Sequence, residues 1–152
     1  MKPLIVLIAA FVISLVVTFL FGGNMDYTLS GNIAMCIMLW FTAIGHFAYK
    51  KGMVMMMPGF IPFKTSLVFA TGILECVLGM GLLFIHIRMI ASWILILFFI
   101  LILPVNIHAA IKRVDYQKGN FEGKGISYLW FRIPLQIIFI VWVWYFGVGY
   151  FL

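Results

Sequence analysis

The chain has 152 residues, of which 66% are hydrophobic and only 9% are charged. Soluble domains carry roughly 25% charged residues, and the mean hydropathy here is +1.21. A soluble chain of this size could not bury so much apolar surface, so the composition predicts a one-domain integral membrane protein. The net charge of +6 is explained by basic loops at the membrane surface, and it does not require a nucleic-acid partner.

The first apolar run extends from Pro3 to Phe21 and follows Lys2. It is longer than the apolar core of a signal peptide, which has about 7–15 residues. Residues 22–26 also lack a clean small-x-small cleavage site. We therefore expect an uncleaved N-terminal transmembrane helix that is largely exposed to lipid, and we assign it, with the loop after it, to residues 1–31.

Four further apolar runs approximate the ~20 residues that a helix needs to cross a bilayer. They extend over about Asn32–Tyr49, Ser66–Ile85, Met89–Ile111 and Ile126–Tyr150. Between the second and third runs of the chain, residues 50–63 contain two prolines and two glycines, which forbid a long helix and favour an interfacial or re-entrant linker. His86–Arg88 are predicted to form a turn, and residues 112–125 a hydrophilic loop. The pattern predicts an all-α membrane protein with five spans.

The placement of lysine and arginine predicts the orientation of these spans. With five spans, one side of the membrane collects eight basic residues and the loops of the other side collect only Arg88. The eight are Lys2, Lys50, Lys51, Lys64, Lys112, Arg113, Lys118 and Lys124. Since basic loops remain in the cytoplasm, we expect a bacterial cytoplasmic (inner) membrane protein with its N-terminus in the cytoplasm and its C-terminus outside.

Glu75 lies in the middle of the third run, near the predicted midplane of the bilayer. A charge at this depth is costly and usually faces the bundle interior or a partner. Five other polar residues are predicted to lie in the cytoplasmic half: His46, Asn106, His108, Arg132 and Gln136. The far half is expected to contain almost none. We predict a ligand-binding pocket formed by these six residues, in which Arg132 pairs with Glu75 directly or through water.

Each of these residues has a simpler interpretation. Glu75 either binds a ligand or proton or only ties helices together through Arg132, and Asn106 fits a hydrogen bond between helices. His46 and His108 either cap helix ends or meet water, and neither has a second ligand at i+3 or i+4, which disfavours metal and haem. The two cysteines show no CxxC or metal spacing. No residue is assigned a catalytic role.

Five short motifs resemble the DoxX-like membrane protein family. They are Ile44-Gly-His-Phe47, Met57-Pro-Gly-Phe-Ile-Pro62, Thr71-Gly-Ile-Leu-Glu75, Pro104-Val-Asn-Ile-His108 and Phe131-Arg-Ile-Pro-Leu-Gln136. The resemblance covers about Asn32 to the C-terminus and implies a four-helix membrane bundle over residues 32–152, to which the N-terminal helix is added. The family includes a subunit of a thiosulfate:quinone oxidoreductase and a protein needed for methylamine dehydrogenase maturation.

The resemblance implies an accessory subunit of a redox or envelope system, with membrane or redox proteins as partners. On this hypothesis the pocket around Glu75 and Arg132 binds a small molecule such as a quinone head group or a lipid. Whether the chain forms a homo-oligomer is left open by the sequence. Two alternatives remain. One is a proton-coupled small-molecule transporter in which Glu75 titrates, and the other is a scaffold or assembly factor with a purely structural polar core.

Overall fold

The computed structural model describes residues 2–149, and this part of the chain is all-α. The helices are α1 (Lys2–Gly22), α2 (Tyr27–Ala48), α3 (Lys50–Met56), α4 (Lys64–Gly81), α5 (Ile85–Ile111) and α6 (Leu129–Val143), with a 3-10 turn at Gly125–Tyr128 and a π-helical segment at Trp144–Val148. Five helical segments are long and apolar enough to cross a membrane: α1, α2, α4, α5 and the stretch Gly125–Val148. The chain is therefore a multi-pass α-helical protein by length and composition. Tyr150, the predicted end of the last span, lies outside the described residues.

Helix α2 begins at Tyr27, one turn earlier than the predicted start at Asn32. The reason is an N-cap, because the carboxylate of Asp26 accepts a hydrogen bond from the backbone N–H of Leu29 at 2.8 Å. The earlier start places Asn32 inside the helix, where it is buried. Its side-chain amide donates to the backbone oxygens of Thr28 and Phe146, at 2.8 and 2.9 Å.

The predicted turn at His86–Arg88 is wrong, because α5 begins at Ile85 and includes these residues. Arg88 is buried, and its Nε donates to the backbone oxygen of Leu82 at 2.8 Å. The expectation that one half of the bundle contains almost no polar residues is therefore also wrong. Ser30, Asn32, Arg88 and Ser92 are all buried there.

Helix α1 contributes to the core although most of its surface is exposed. Leu7 is 0% exposed and belongs to the main buried apolar cluster. The ring of Phe11 packs edge-on against Trp142, with 5.1 Å between the ring centroids. The α1 helix is thus packed against α2 and the last turn of α6, and its remaining apolar face is available to lipid.

The two basic loops lie at the same end of the bundle. The rings of Tyr49 and Tyr116 pack edge-on with their centroids 6.0 Å apart. A Cβ atom at Gly52 would lie 1.9 Å from the backbone oxygen of Tyr116, so only glycine fits there. We call this end, formed by residues 49–63 and 112–124, the basic-loop end, and the end formed by residues 22–26 and 82–84 the opposite end. That the basic-loop end faces the cytoplasm stays a prediction.

Candidate functional site

Helices α2 and α4 approach closely on both sides of Glu75. A Cβ atom at Gly72 would lie 3.0 Å from the Cβ of His46, and one at Gly79 would lie 3.4 Å from the Cα of Cys36. The two glycines stand one turn before and one turn after Glu75, and small residues at such spacing let helices pack closely in membranes. The carboxyl group is therefore held in the crossing between two helices, and Glu75 is 5% exposed.

Glu75 contacts two side chains of α2. Its Oε2 accepts a hydrogen bond from the Thr42 hydroxyl at 3.0 Å and lies 3.6 Å from Nδ1 of His46. The same Nδ1 lies 3.1 Å from the backbone oxygen of Thr42. Because Nδ1 faces oxygen atoms on both sides, it is the ring nitrogen that carries the proton. We call Thr42, His46 and Glu75 the Glu75 centre.

The Thr42 hydroxyl has two acceptors within reach. One is Oε2 of Glu75 at 3.0 Å, and the other is the backbone oxygen of Leu39 at 2.9 Å. A hydroxyl has one hydrogen to donate and can also accept. It can therefore donate to an ionised Glu75, or donate to Leu39 and accept a hydrogen bond from a protonated Glu75.

The predicted direct pair between Arg132 and Glu75 does not form. Within residues 2–149, the basic side chain within 4 Å of the Glu75 carboxyl group is that of His46. Arg132 lies on α6, half-buried, with its guanidinium carbon 5.7 Å from the ring centroid of Tyr128. The close crossing of α2 and α4 explains this arrangement, because it places His46 of α2 next to the carboxyl group of Glu75.

Asn106 and Gln136 connect α5 to α6. The Asn106 amide donates to the side-chain oxygen of Gln136 at 3.2 Å, and the Gln136 amide donates to the backbone oxygen of Phe99. Both residues are buried, and the bond between them is the interhelical contact considered for Asn106 from the sequence. The Oδ1 atom of Asn106 is buried without a hydrogen-bond partner among the described residues. Buried polar atoms without partners are rare and costly, and among the described residues the hydroxyl oxygen of Ser30 is the other one.

His108 makes a different contact from the other five predicted residues. Its Nδ1 lies 2.9 Å from the backbone oxygen of Met56, the last residue of α3. This contact satisfies a carbonyl at a helix end, which is the simpler role considered for it from the sequence. His108 thus ties α5 to the linker at the basic-loop end.

Five of the six predicted residues contact one another or the backbone, and Arg132 lies over the ring of Tyr128. A cleft of about 610 Å³ lies between α1 and the start of α2, next to Ser14 and Asp26. A second, of about 340 Å³, lies on α6 next to Ile137 and Val141. None of the six lines either cleft. In the part of the chain that the structure describes, no three His, Cys, Asp or Glu side chains are grouped to hold a metal ion.

Fold and site together define a small multi-pass α-helical protein with a buried carboxyl–imidazole pair. A family model described as a domain of unknown function (DUF8561) matches residues 35–147, and the chain belongs to this family. The DoxX-like resemblance is therefore wrong, because short motifs made of common membrane-helix residues are weak individually. No curated protein and no solved structure matches the chain.

Thr42 is a residue of the candidate site that the sequence prediction missed. A threonine inside an apolar helix usually bonds its own backbone and carries no signal by itself. The signal available was its spacing, since Thr42 and His46 are four residues apart and share a face of α2.

Proposed function

We propose that this is a proton-binding protein of the bacterial cytoplasmic membrane, in which the Glu75 centre takes up and releases a proton during transport of a small molecule. The observation that carries the proposal is the pair of acceptors around the Thr42 hydroxyl, Oε2 of Glu75 and the oxygen of Leu39. A buried polar group without a partner is costly. Here neither protonation state of Glu75 leaves the hydroxyl or the carboxyl oxygen Oε2 without a partner.

The chemistry of the centre follows from these contacts. When Glu75 is ionised, Oε2 accepts from the Thr42 hydroxyl, while His46 lies 3.6 Å away and its Nδ1–H is held on the oxygen of Thr42. When Glu75 is protonated, its O–H can donate to the Thr42 hydroxyl oxygen, and that hydroxyl turns to Leu39. Only one hydrogen rotates between the two states, so the exchange needs no movement of α2 against α4.

The proposed architecture is a four-helix unit of α2, α4, α5 and α6, with α1 as an added helix. The family match supports this division because it begins at residue 35 and leaves α1 outside. The proposed orientation places the basic-loop end in the cytoplasm. Residues 1–31 would then be the N-terminal helix and its outer loop, and residues 32–152 the functional domain.

The binding of a small lipophile, such as a quinone head group or a lipid, is the second candidate. One observation favours it: Oδ1 of Asn106 is a buried acceptor without a partner, and it could accept a hydrogen bond from a ligand hydroxyl. Mass spectrometry of lipophiles that co-purify with the protein tests this candidate. A species bound to the wild type and absent from Asn106→Leu supports it, and an identical extract from both proteins rejects it.

The first proposal is tested by counting protons. Purified protein in weakly buffered detergent is titrated with acid, and the uptake of wild type is compared with that of Glu75→Gln. Glu122→Gln is the matched control, because Glu122 is an exposed residue of the hydrophilic loop. We expect wild type to take up one more proton than Glu75→Gln, within a pH range that Glu122→Gln leaves unchanged. Equal uptake by wild type and Glu75→Gln would contradict the proposal.

A further inference from the structure

Arg132 is a half-buried cation without a carboxylate partner. Within residues 2–149 no acidic oxygen lies within salt-bridge distance of it. Its guanidinium group lies over the face of the Tyr128 ring. An arginine that is partly removed from water and unpaired is costly, and a complementary anion would offset that cost. The guanidinium also presents a planar set of donors that fits the oxygens of a phosphate group.

The two acids of the neighbouring loop are engaged elsewhere. The carboxylate of Asp115 accepts hydrogen bonds from the backbone N–H groups of Gln117 and Lys118, at 3.0 and 3.2 Å. The carboxylate of Glu122 accepts a hydrogen bond from the side-chain amide of Asn120 at 3.2 Å. These local bonds hold both carboxylates inside the loop. Among the described residues, neither carboxylate of this loop therefore forms a salt bridge with the arginine at the start of α6.

A second arginine lies beside the same 3-10 turn. A Cβ atom at Gly125 would lie 3.3 Å from Nε of Arg113, so the Arg113 side chain packs against the first residue of the turn. Arg132 covers Tyr128, the last residue of this turn. The turn thus has one arginine at its beginning and another beyond its end. Between positions 112 and 132 the chain has five basic and two acidic residues.

An exposed aromatic residue indicates the depth of this region in the membrane. Trp130 is 81% exposed and stands two residues before Arg132. Tryptophan concentrates at membrane interfaces, where its ring meets the headgroup level. Trp130 and the basic residues of the adjacent loop are therefore expected at the same level as lipid phosphates.

We infer that Arg132, with Arg113 as a second cation and at the headgroup level that the exposed Trp130 marks, forms a binding site for the headgroup of an anionic phospholipid. The phosphate accepts hydrogen bonds from Arg132, Arg113 contributes a second positive charge, and the acyl chains lie against the apolar surface of α6. A lipid is favoured over a soluble anion because an 81%-exposed indole two residues before the arginine suits a membrane interface and not an aqueous pocket. This site shares no residue with the Glu75 centre.

The site is tested by native mass spectrometry of the purified full chain with added phosphatidylglycerol or phosphatidylcholine. We expect phosphatidylglycerol to be retained preferentially by wild type, and Arg132→Gln to weaken its binding about tenfold, the effect expected when hydrogen bonds from a guanidinium to a phosphate are lost. Lys118→Gln is the control, because Lys118 is an exposed basic residue of the same loop. It should bind phosphatidylglycerol nearly as well as wild type.

A conservative variant separates a site from general attraction. Arg132→Lys keeps the charge but loses the planar donors, so a phosphate site predicts a loss of binding in this variant as well. Equal loss from Lys118→Gln and Arg132→Gln, or full binding by Arg132→Lys, would overturn the site. So would equal retention of the two lipids. Displacement of the lipid by millimolar inorganic phosphate would identify a site for a free anion and reject the lipid.

Discussion

The opposite end of the bundle and the Glu75 centre both bury polar side chains, but they bond them differently. At the opposite end, Asn32, Arg88 and Trp142 donate to backbone oxygens. In the Glu75 centre, Thr42 and His46 contact the carboxyl group of Glu75. A backbone oxygen cannot change its protonation state, whereas a carboxyl group and an imidazole can.

This difference separates a structural role from a functional one. The bonds of the opposite end join α2 to the last helical segment. They also join the first turn of α5 to the turn before it, and they do so at any pH. The Glu75 centre also joins two helices, but the same contacts permit a change of charge. We therefore expect substitutions at the opposite end to lower stability independently of pH, and substitutions in the Glu75 centre to change the response to pH.

The largest effect is expected from Gly147→Ala at the opposite end. A Cβ atom at Gly147 would lie 2.0 Å from the hydroxyl oxygen of Ser92, which is held by its hydrogen bond to the oxygen of Arg88. Overpacking of this kind typically costs about 1–3 kcal/mol. Thermal unfolding of the purified protein should show a lower midpoint at every pH.

Gly45→Ala provides the control for this substitution. A Cβ atom there would meet only the end of the Met53 side chain at 3.8 Å, and alanine favours the helix by up to about 1 kcal/mol. The variant should unfold at or above the wild-type midpoint. If Gly147→Ala also did so, the close packing of the opposite end would be wrong.

Asn32→Leu should have a smaller effect of the same kind. The variant loses the hydrogen bond from the Asn32 amide to the oxygen of Phe146. Hydrogen bonds between helices in membranes contribute about 0.6 kcal/mol on average. The unfolding midpoint should fall slightly and by the same amount at acidic and alkaline pH, while Asn24→Leu, at an exposed position, should leave it unchanged. A loss confined to one pH range would show that the opposite end also responds to protons.

The smallest effect concerns Tyr116 in the hydrophilic loop. Burial, and then the neighbouring Tyr128, raise the pKa of its phenol above the ordinary value of 10.0. The folded state thus favours the neutral phenol, and the stability that this contributes is present below pH 10 and is lost as the pH rises through the raised pKa. The difference between the ultraviolet titration curves of wild type and Tyr116→Phe should show a phenol that ionises at a higher pH than free tyrosine. Ionisation at or below the free value would show that the loop does not cover Tyr116.

The sequence predicted the helices and the buried carboxyl more accurately than the partners of that carboxyl. Apolar runs of about 20 residues are a strong signal, and Glu75 stands out because charges are rare inside them. Its partner depends on how two helices cross, which charge placement alone does not specify. For this reason the sequence paired Glu75 with Arg132, while His46 and Thr42 are the residues in contact.

The opposite end was missed for a more local reason. The start of α2 was placed at Asn32, although Asp26 offers an N-cap that moves the start to Tyr27. The turn assigned to His86–Arg88 likewise hid the first turn of α5. Both errors placed polar residues in loops when they belong to helices and are buried. Asp26 is a preferred N-cap residue and could have been used to predict the earlier start of α2. Nothing in the sequence indicated that Arg88 donates a hydrogen bond to the carbonyl oxygen of Leu82.

The most direct test is infrared difference spectroscopy of the carboxyl groups between acidic and alkaline pH, with wild type, Glu75→Gln and Thr42→Val. The account predicts a band from a buried protonated carboxyl in wild type that is absent from Glu75→Gln. It also predicts that Thr42→Val keeps the band but shifts the pH at which it appears. A band that survives in Glu75→Gln, or a midpoint unchanged by Thr42→Val, would contradict the Glu75 centre as a proton-binding site.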